Sequence, residues 1–413
     1  MKILNIIAQK VNNTGSGIYL TEIVNCYKNL GYEQEIICAA YREDIEKDKK
    51  ENDNKVRYNY IIFDNEKLPM KIAGMSDVMP YESMKYSEFV NDKNKLTLWK
   101  KAFTEKIKEV ILSFKPDIII SHHLYLLTAI VADICRNEFK NEKIILKGIC
   151  HNTDLRQYQK TDLEREFIKR NIKMLNKTFY PSEFHREMAV KLFDLDESKT
   201  EVIGIGFNDK IFKRDDAFEG SSESKNNKRV KESKLLYVGK ISIKKGVLSL
   251  IKAINKLDDK NITLDIIGGA GDKKEYDEIV EESKKSKSKI NIMKAKTQVE
   301  LAKEYSSHEI FILPSFSEGI PIVPLEAMAC GCKVVISDLP GVKKFYEENI
   351  VNANIKYVTL PKLSNVDDAN DEELEKYEDR LANAIRDSIN DKKTLVPDLS
   401  KISWENIAKK ILA

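Results

Sequence analysis

Long apolar runs are missing from this 413-residue chain. The most extended, such as YLLTAIVADI at 125–134, fall well short of the ~20 residues that a membrane-spanning helix needs. Net charge is equally scarce. Lysine plus arginine (69) nearly balances aspartate plus glutamate (66), and the resulting +3 gives no reason to expect nucleic acid as a partner. The six cysteines, Cys26, Cys38, Cys135, Cys150, Cys330 and Cys332, have none of the C-x-x-C spacing that structural zinc sites use. They stand in apolar surroundings and read as buried thiols of a reducing compartment. The opening MKILNIIAQK has too short an apolar core and no small-residue cleavage site for a secretory leader. These absences lead to the expectation of a soluble, cytoplasmic protein.

What is present is enough apolar residue, 42%, for two packed cores, and a length too great for one ordinary domain. Short runs rich in Ile and Val alternate with longer helical patterns, as in parallel sheets covered on both faces. The predicted strands form two series. The first is 3–8, 34–39, 58–63, 117–121, 144–149, 177–180 and 200–203; the second is 235–238, 263–267, 290–293, 310–313, 334–336 and 357–359. The expected architecture is α/β, with two successive doubly wound units. Polar, aperiodic residues 219–234 read as a surface loop near the boundary. Acidic residues 365–380 read as a solvated helix, and the last helix, ISWENIAKKILA, follows LVPDLS and could dock back on the first domain.

Ligands of open parallel sheets bind beyond the carboxyl ends of the strands. After the first strand, Gly15 and Gly17 precede a helix that ends at Gly31, and glycines there let backbone N–H groups approach an anion. Leu20 stands where a G-x-G-x-x-G motif has its third glycine, which argues against a nicotinamide or flavin cofactor. A flexible strand-to-helix turn explains the same glycines. His122 and His123 end another strand, and His151 and Asp154 follow the next, with no recurrence at metal-ligand spacing. His151 suits hydrogen bonding to a hydroxylated ligand, or a loop-capping role. Asp194 and Asp196 form a D-x-D in a polar connection, where turn chemistry accounts for them.

In the second unit, LLYVGKISIKKG places Gly239, Lys240, Lys245 and Gly246 at a strand end, where two lysines could clamp a diphosphate as point charges. GGAGDK from Gly268 offers further glycines at the next strand end. The stretch EGIPIVPLEAMACG puts Glu318 and Glu326 eight positions apart. Pro321 or Pro324 marks a helix start and Gly331 its stop. Neither Ile320 nor Val323 can cap that helix, leaving amides available to an anion or a sugar hydroxyl. Glu326 suits a first helical turn in any case. Glu318, in a tight loop before Gly319, needs a donor. As an acid and base pair for glycoside hydrolysis the two would have to face each other at roughly 5–9 Å, and eight residues through a turn do not secure that.

The segment EGIPIVPLEAMACG resembles the E-x7-E hallmark of retaining glycosyltransferases of family 4, which have the GT-B fold: two Rossmann-like domains facing across a cleft. Supporting matches are the Gly15 to Gly17 loop, PDIIISHH, His151, PSEFHREM, VIGIGFNDKIF, VGKISIKKG, the Gly268 loop and SWENIAKKILA. The resemblance implies an acceptor-binding domain over 1–205, joined by the terminal helix 400–413, and a nucleotide-sugar-binding domain over 206–395. It implies that Glu318 contacts hydroxyls of the donor sugar and Glu326 its ribose. Amides of Gly319, Ile320 and Ile322, around Pro321, would face sugar or diphosphate. Lys240 and Lys245 would neutralise the diphosphate, with Gly15, Gly17, Gly239 and Gly268 lining the donor site, and His151 would touch the sugar near the reacting carbon. Two departures stand out. Lysine replaces the family's usual arginine at 240, keeping the charge but losing the bidentate fork, and Gly204 to Asn208 replaces its usual P-N-G-V-D.

The implied reaction is transfer of a hexosyl or N-acetylhexosaminyl group from a nucleotide diphosphate sugar, a UDP-sugar in the first instance, to an acceptor hydroxyl with retention. No metal and no other cofactor is called for. The acceptor could be a small molecule, a lipid-linked compound or a glycan, read by the first domain, where residues 66–89, rich in Met and Tyr, could form a lid or pack as an ordinary loop and helix. The lysines of 284–289 could touch an acidic membrane at the inner face, or cap a solvated helix. An epimerase or phosphorylase on the same fold, or a nucleotide-sugar-binding protein without turnover, remain alternatives.

Overall fold

A computed structural model describes residues 1–11, 14–51, 56–77, 83–214, 232–364, 369–393 and 395–413. The polar segment read as a boundary loop lies outside these over 219–231, as do 365–368 of the acidic segment and 78–82 of the stretch rich in Met and Tyr. Two compact units emerge: Met1–Gly206 together with Trp404–Ala413, and Phe207–Ser403.

The strands of the first unit are β1 (Lys2–Ile6), β2 (Glu33–Ala40), β3 (Val56–Ile62), β4 (Ile118–His122), β5 (Ile145–Ile149), β6 (Lys177–Tyr180) and β7 (Thr200–Val202). They form one parallel sheet in the order β3-β2-β1-β4-β5-β6-β7. Both faces are covered, and β2 records this directly. Ile37 and Ala39 join the large core shared with helix Lys93–Phe114, whereas Ile36 and Cys38 pack with Leu20 and Val24 of helix Gly15–Asn29. A strand buried on both faces loses the polar alternation of a half-exposed one, which is why it reads as a continuous apolar run.

The second unit contains β8 (Ser233–Val238), β9 (Ile262–Ile267), β10 (Lys289–Met293), β11 (Ile310–Leu313), β12 (Lys333–Ser337) and β13 (Ile355–Val358), parallel in the order β10-β9-β8-β11-β12-β13. In each sheet the chain reverses its direction of winding once, between β1 and β4 and between β8 and β11. Those reversals open the crevices where doubly wound sheets hold ligands.

Two local readings change, and the packed alternative for 66–89 is the one observed among its described residues. Gly15 and Gly17 are not ahead of their helix but in its first turn, because Thr14 caps it by accepting from the Gly17 amide at 3.1 Å. The acidic segment belongs to helix Asp371–Asn390, which is not simply solvated: Tyr377, Leu381 and Ile385 are fully buried beside helix Val247–Leu257 and β13. The described part of 66–89 packs as core, with Leu68, Met70, Ile72, Met84, Tyr86 and Phe89 all buried. The terminal helix Trp404–Leu412 lies against Gly15–Asn29 in the first unit. Tyr27 donates to Ala408 O at 3.1 Å, and Lys147 Nζ to Ile411 O at 2.7 Å, a cation at a helix C-terminus. Among the described residues no helix is long and apolar enough to cross a membrane.

Candidate functional site

Lys240, Lys245 and Glu318 sit on loops leaving the two central strands of the second unit, and Glu326 on the helix that follows the second of these loops. After β8 the chain turns through Gly239, accepts at Lys240 O from Tyr237 Oη at 2.7 Å, and reaches Lys245 and Gly246. Gly246 has φ +71, and a Cβ there would lie 2.0 Å from Pro314 O, just past β11. Only glycine permits that approach. The Phe316 amide donates to Lys244 O at 3.2 Å, zipping the two loops together. Pro314 O is itself anchored by Tyr377 Oη at 3.0 Å.

This close seam brings Lys245 Nζ to 2.7 Å from Glu318 Oε1. The contact spans 73 positions of chain and could not be read from sequence spacing. The Glu318 charge also adds to the rise in the Tyr237 and Tyr346 hydroxyl pKa values, after burial, which is the larger cause. Tyr346 donates to Pro321 O at 2.8 Å, fixing the loop that carries Gly319, Ile320, Pro321 and Ile322. The helix that follows is Val323–Ala329. Its N-cap is Ile322, which makes no side-chain cap, and proline occupies the first turn at position 324.

Glu326, in the first turn of that helix, has a different partner. It is buried, and Tyr305 Oη donates to its Oε2 at 3.2 Å. Burial and then the Glu326 charge push the Tyr305 hydroxyl pKa up. The two glutamates of the E-x7-E spacing therefore occupy different environments, one ion-paired and partly exposed, the other inside the fold. Gly268, at the end of β9, faces Gly239: a Cβ on it would lie 1.7 Å from Gly239 O. Its neighbour Gly269 has open space, and Ile241 N donates to Gly269 O at 2.9 Å.

Gly15, Gly17 and His151 belong to the first unit. Gly15 is exposed and Gly17 buried. His151 follows β5, its backbone amide donating at 3.2 Å to the buried Asp154 carboxylate, which also accepts from Leu124 N at 2.7 Å. His122, the last residue of β4, meets it through Nδ1···Nε2 at 3.0 Å. His123 lies 4.7 Å from the His151 ring by centroids. Tyr19 packs edge-on against His151 at 5.2 Å and against Trp404 at 4.9 Å. Sequence reasoning missed Tyr19 and Trp404; an aromatic in a helix's second turn and one opening the last helix carry no distinguishing spacing.

Asp194 and Asp196 do serve turns, as a left-handed helix end and as the cap of a short 3-10 helix. A different group, Asp265, Glu304 and His308, escaped the sequence reading, and its potential ligand atoms lie within 4.8 Å of one another. Those atoms are committed to hydrogen bonds. His308 Nε2 donates to Asp265 Oδ2 at 3.1 Å, Asn291 Nδ2 to Asp265 Oδ1 at 2.6 Å, and Lys296 pairs with Glu304. The His308 bond holds the Asp265 carboxyl below its ordinary pKa.

Two family profiles match the chain: the one described as Glycosyltransferase Family 4 over residues 13–210 and the one described as Glycosyl transferases group 1 over 219–394. Among curated relatives, an uncharacterized glycosyltransferase of Methanocaldococcus jannaschii is 29% identical over 167 residues, covering 40% of this chain and 43% of its own. The alpha-maltose-1-phosphate synthase of Mycobacterium tuberculosis is 28% identical over 190 residues, covering 43% and 46%. The lipopolysaccharide 1,2-N-acetylglucosaminetransferase of Salmonella typhimurium is 30% identical over 185 residues, with the same coverage. The matched part thus spans under half the length of these relatives. Similar folds are found in the sucrose-phosphate synthase of Thermosynechococcus elongatus, with TM-score 0.65 and 17% identity over 100% of this chain and 97% of that one. Anabaena HepE, solved with UDP and glucose, has TM-score 0.65 and 14% identity over 100% and 98%. With both profiles matched in order on two doubly wound parallel sheets, the chain belongs to the group 1, family 4 glycosyltransferases of GT-B fold.

Proposed function

We propose that the protein transfers a hexosyl or N-acetylhexosaminyl group from a nucleotide diphosphate sugar, a UDP-sugar, to an acceptor hydroxyl with retention of anomeric configuration. The observation that carries this reading is the Lys245–Glu318 pair, 2.7 Å apart at the crevice between β8 and β11. A cation beside a carboxylate matches the junction of a sugar phosphate, where phosphate charge meets sugar hydroxyls. Lys245 and Lys240 then stabilise the departing diphosphate, whose negative charge grows as the C1–O bond breaks. Glu318 accepts from hydroxyls of the donor sugar, and Glu326 serves the ribose. Lysine supplies the counter-charge as a point, without a bidentate fork, so the chemistry is assigned to the side chains and to no metal.

Retention follows if the acceptor oxygen attacks the face that the diphosphate leaves. The C1–O bond to phosphate breaks, the C1–O bond to the acceptor forms, and the departing phosphate oxygen takes the acceptor's proton. No protein nucleophile is needed. The relative named for N-acetylglucosamine transfer supports this class of reaction and leaves the acceptor open. Proton NMR of the first-formed product gives the test. A donor with an α-linked sugar is expected to yield an α-glycoside; a β-glycoside, or a sugar trapped covalently on an Asp or Glu, overturns the mechanism.

A further inference from the structure

We infer that His122 is a positioning residue that fixes the tautomer of His151, so that His151 offers Nδ1–H as a neutral hydrogen-bond donor instead of acting as a base. The two imidazoles come from the ends of adjacent strands, with His122 opposite Ile149 in the β4–β5 register. Their planes are 15° apart and His122 Nδ1 lies 3.0 Å from His151 Nε2. Tyr19 closes over both rings from helix Gly15–Asn29, at 6.1 and 5.2 Å between centroids.

Burial pushes the His122 pKa down to about 3 and the His151 pKa well down from its ordinary value, so each ring is neutral and carries one proton. In a 3.0 Å contact between two ring nitrogens, one donates and the other accepts. If His151 Nε2 were the donor, the remaining His122 proton would sit on Nε2. That atom is buried and has no partner among the described residues. It belongs to a side chain lining a cavity of about 30 Å³ whose other walls are mostly apolar: Ala8, Ala73, Phe89, Trp99, Leu126 and Leu127 among them. A buried N–H without a partner is the rarer and costlier defect. The opposite arrangement leaves only a lone pair on His122 Nε2, and places its proton on Nδ1 as donor to His151 Nε2. His151 must then hold its own proton on Nδ1, the ring nitrogen that no described protein group engages.

The consequence for chemistry rests on the glycosyl-transfer reading above. His151 can donate to an oxygen of a bound sugar or acceptor at the carboxyl ends of the first-unit strands, but it cannot take the acceptor's proton there, because that nitrogen already bears one. This division of labour leaves the proton to the departing phosphate.

The full-length chain labelled with 15N-histidine decides the matter without any nucleotide sugar. Long-range 1H–15N correlation is expected to show His151 protonated on Nδ1. His122→Asn, whose amide N–H stands near the position of Nδ1–H, is expected to keep that form. His122→Phe, which leaves His151 Nε2 without that donor, is expected to turn the single Nδ1–H form into a mixture of the two tautomers with a native-like melting curve. Protonation of wild-type His151 on Nε2, or an unchanged spectrum in folded His122→Phe, overturns the inference. Should His122→Phe not fold, the wild-type spectrum still decides. A chain that transfers no sugar yet shows Nδ1–H would count against the functional reading alone.

Discussion

The two glutamates that share one spacing motif are predicted to part company under mutation. Glu318 and Lys245 keep side chains about a fifth exposed, 20% and 21%, so water reaches their ion pair and screens it. Glu326 is 7% exposed and accepts from the buried Tyr305 hydroxyl. Removing it leaves that hydroxyl without this acceptor, at about 1–3 kcal/mol. Urea unfolding should therefore separate the variants: Glu318→Ala near wild type, Glu326→Ala clearly less stable. Equal stabilities would mean that the environments described for the two carboxylates are wrong. Sequence alone identified both residues and their charge, but not their surroundings. A contact that closes over 73 positions depends on which strands lie side by side, and one sequence does not state that.

Loops and helices tell a similar story. Every predicted strand has an observed counterpart whose ends lie within about two residues, and the central strands, buried on both faces, announce themselves as Ile and Val runs. Helix Val323–Ala329 was legible through its proline and the glycine at its end, Gly331, which adopts φ +100. The cap by Thr14 and the buried face of Asp371–Asn390 were less so. One hydroxyl looks like any other in a polar run, and Tyr377, Leu381 and Ile385 are diluted among acidic neighbours. The seam between the β8 and β11 loops makes a sharp contrast of glycines. Gly246→Ala meets Pro314 O at 2.0 Å with φ +71, whereas Gly269→Ala meets open space. Gly246→Ala is expected to displace Lys245 and reduce turnover about 100-fold or more, the scale of one lost transition-state contact, and Gly269→Ala to stay close to wild type. Donor consumption by the two purified variants checks this. Similar rates would detach the seam from the site.

At the scale of the whole molecule, the histidines govern behaviour in mild acid. Burial depresses His122 to about 3 and His185 to about 4, and lowers His123 as well, against 6.5 in an unfolded chain. The unfolded state thus binds protons first as pH falls. The stability these residues contribute is complete above about 6.5 and is lost progressively towards 3 to 4. One unit below 6.5, His122 and His185 each cost about 1.4 kcal/mol. Urea midpoints should fall markedly between pH 7.5 and 5.5, before most carboxylates titrate; flat midpoints would contradict the buried histidine cluster.

The central claim is that Lys245 and Glu318 hold and activate a nucleotide diphosphate sugar. Release of nucleoside diphosphate from a panel of nucleotide sugars tests it most directly, in wild type, Lys245→Ala and Glu318→Ala side by side with their melting curves. The account predicts release from a UDP-sugar by wild type and a loss of about 100-fold or more in both variants, with melting temperatures little changed. Near-normal release in both folded variants would contradict it.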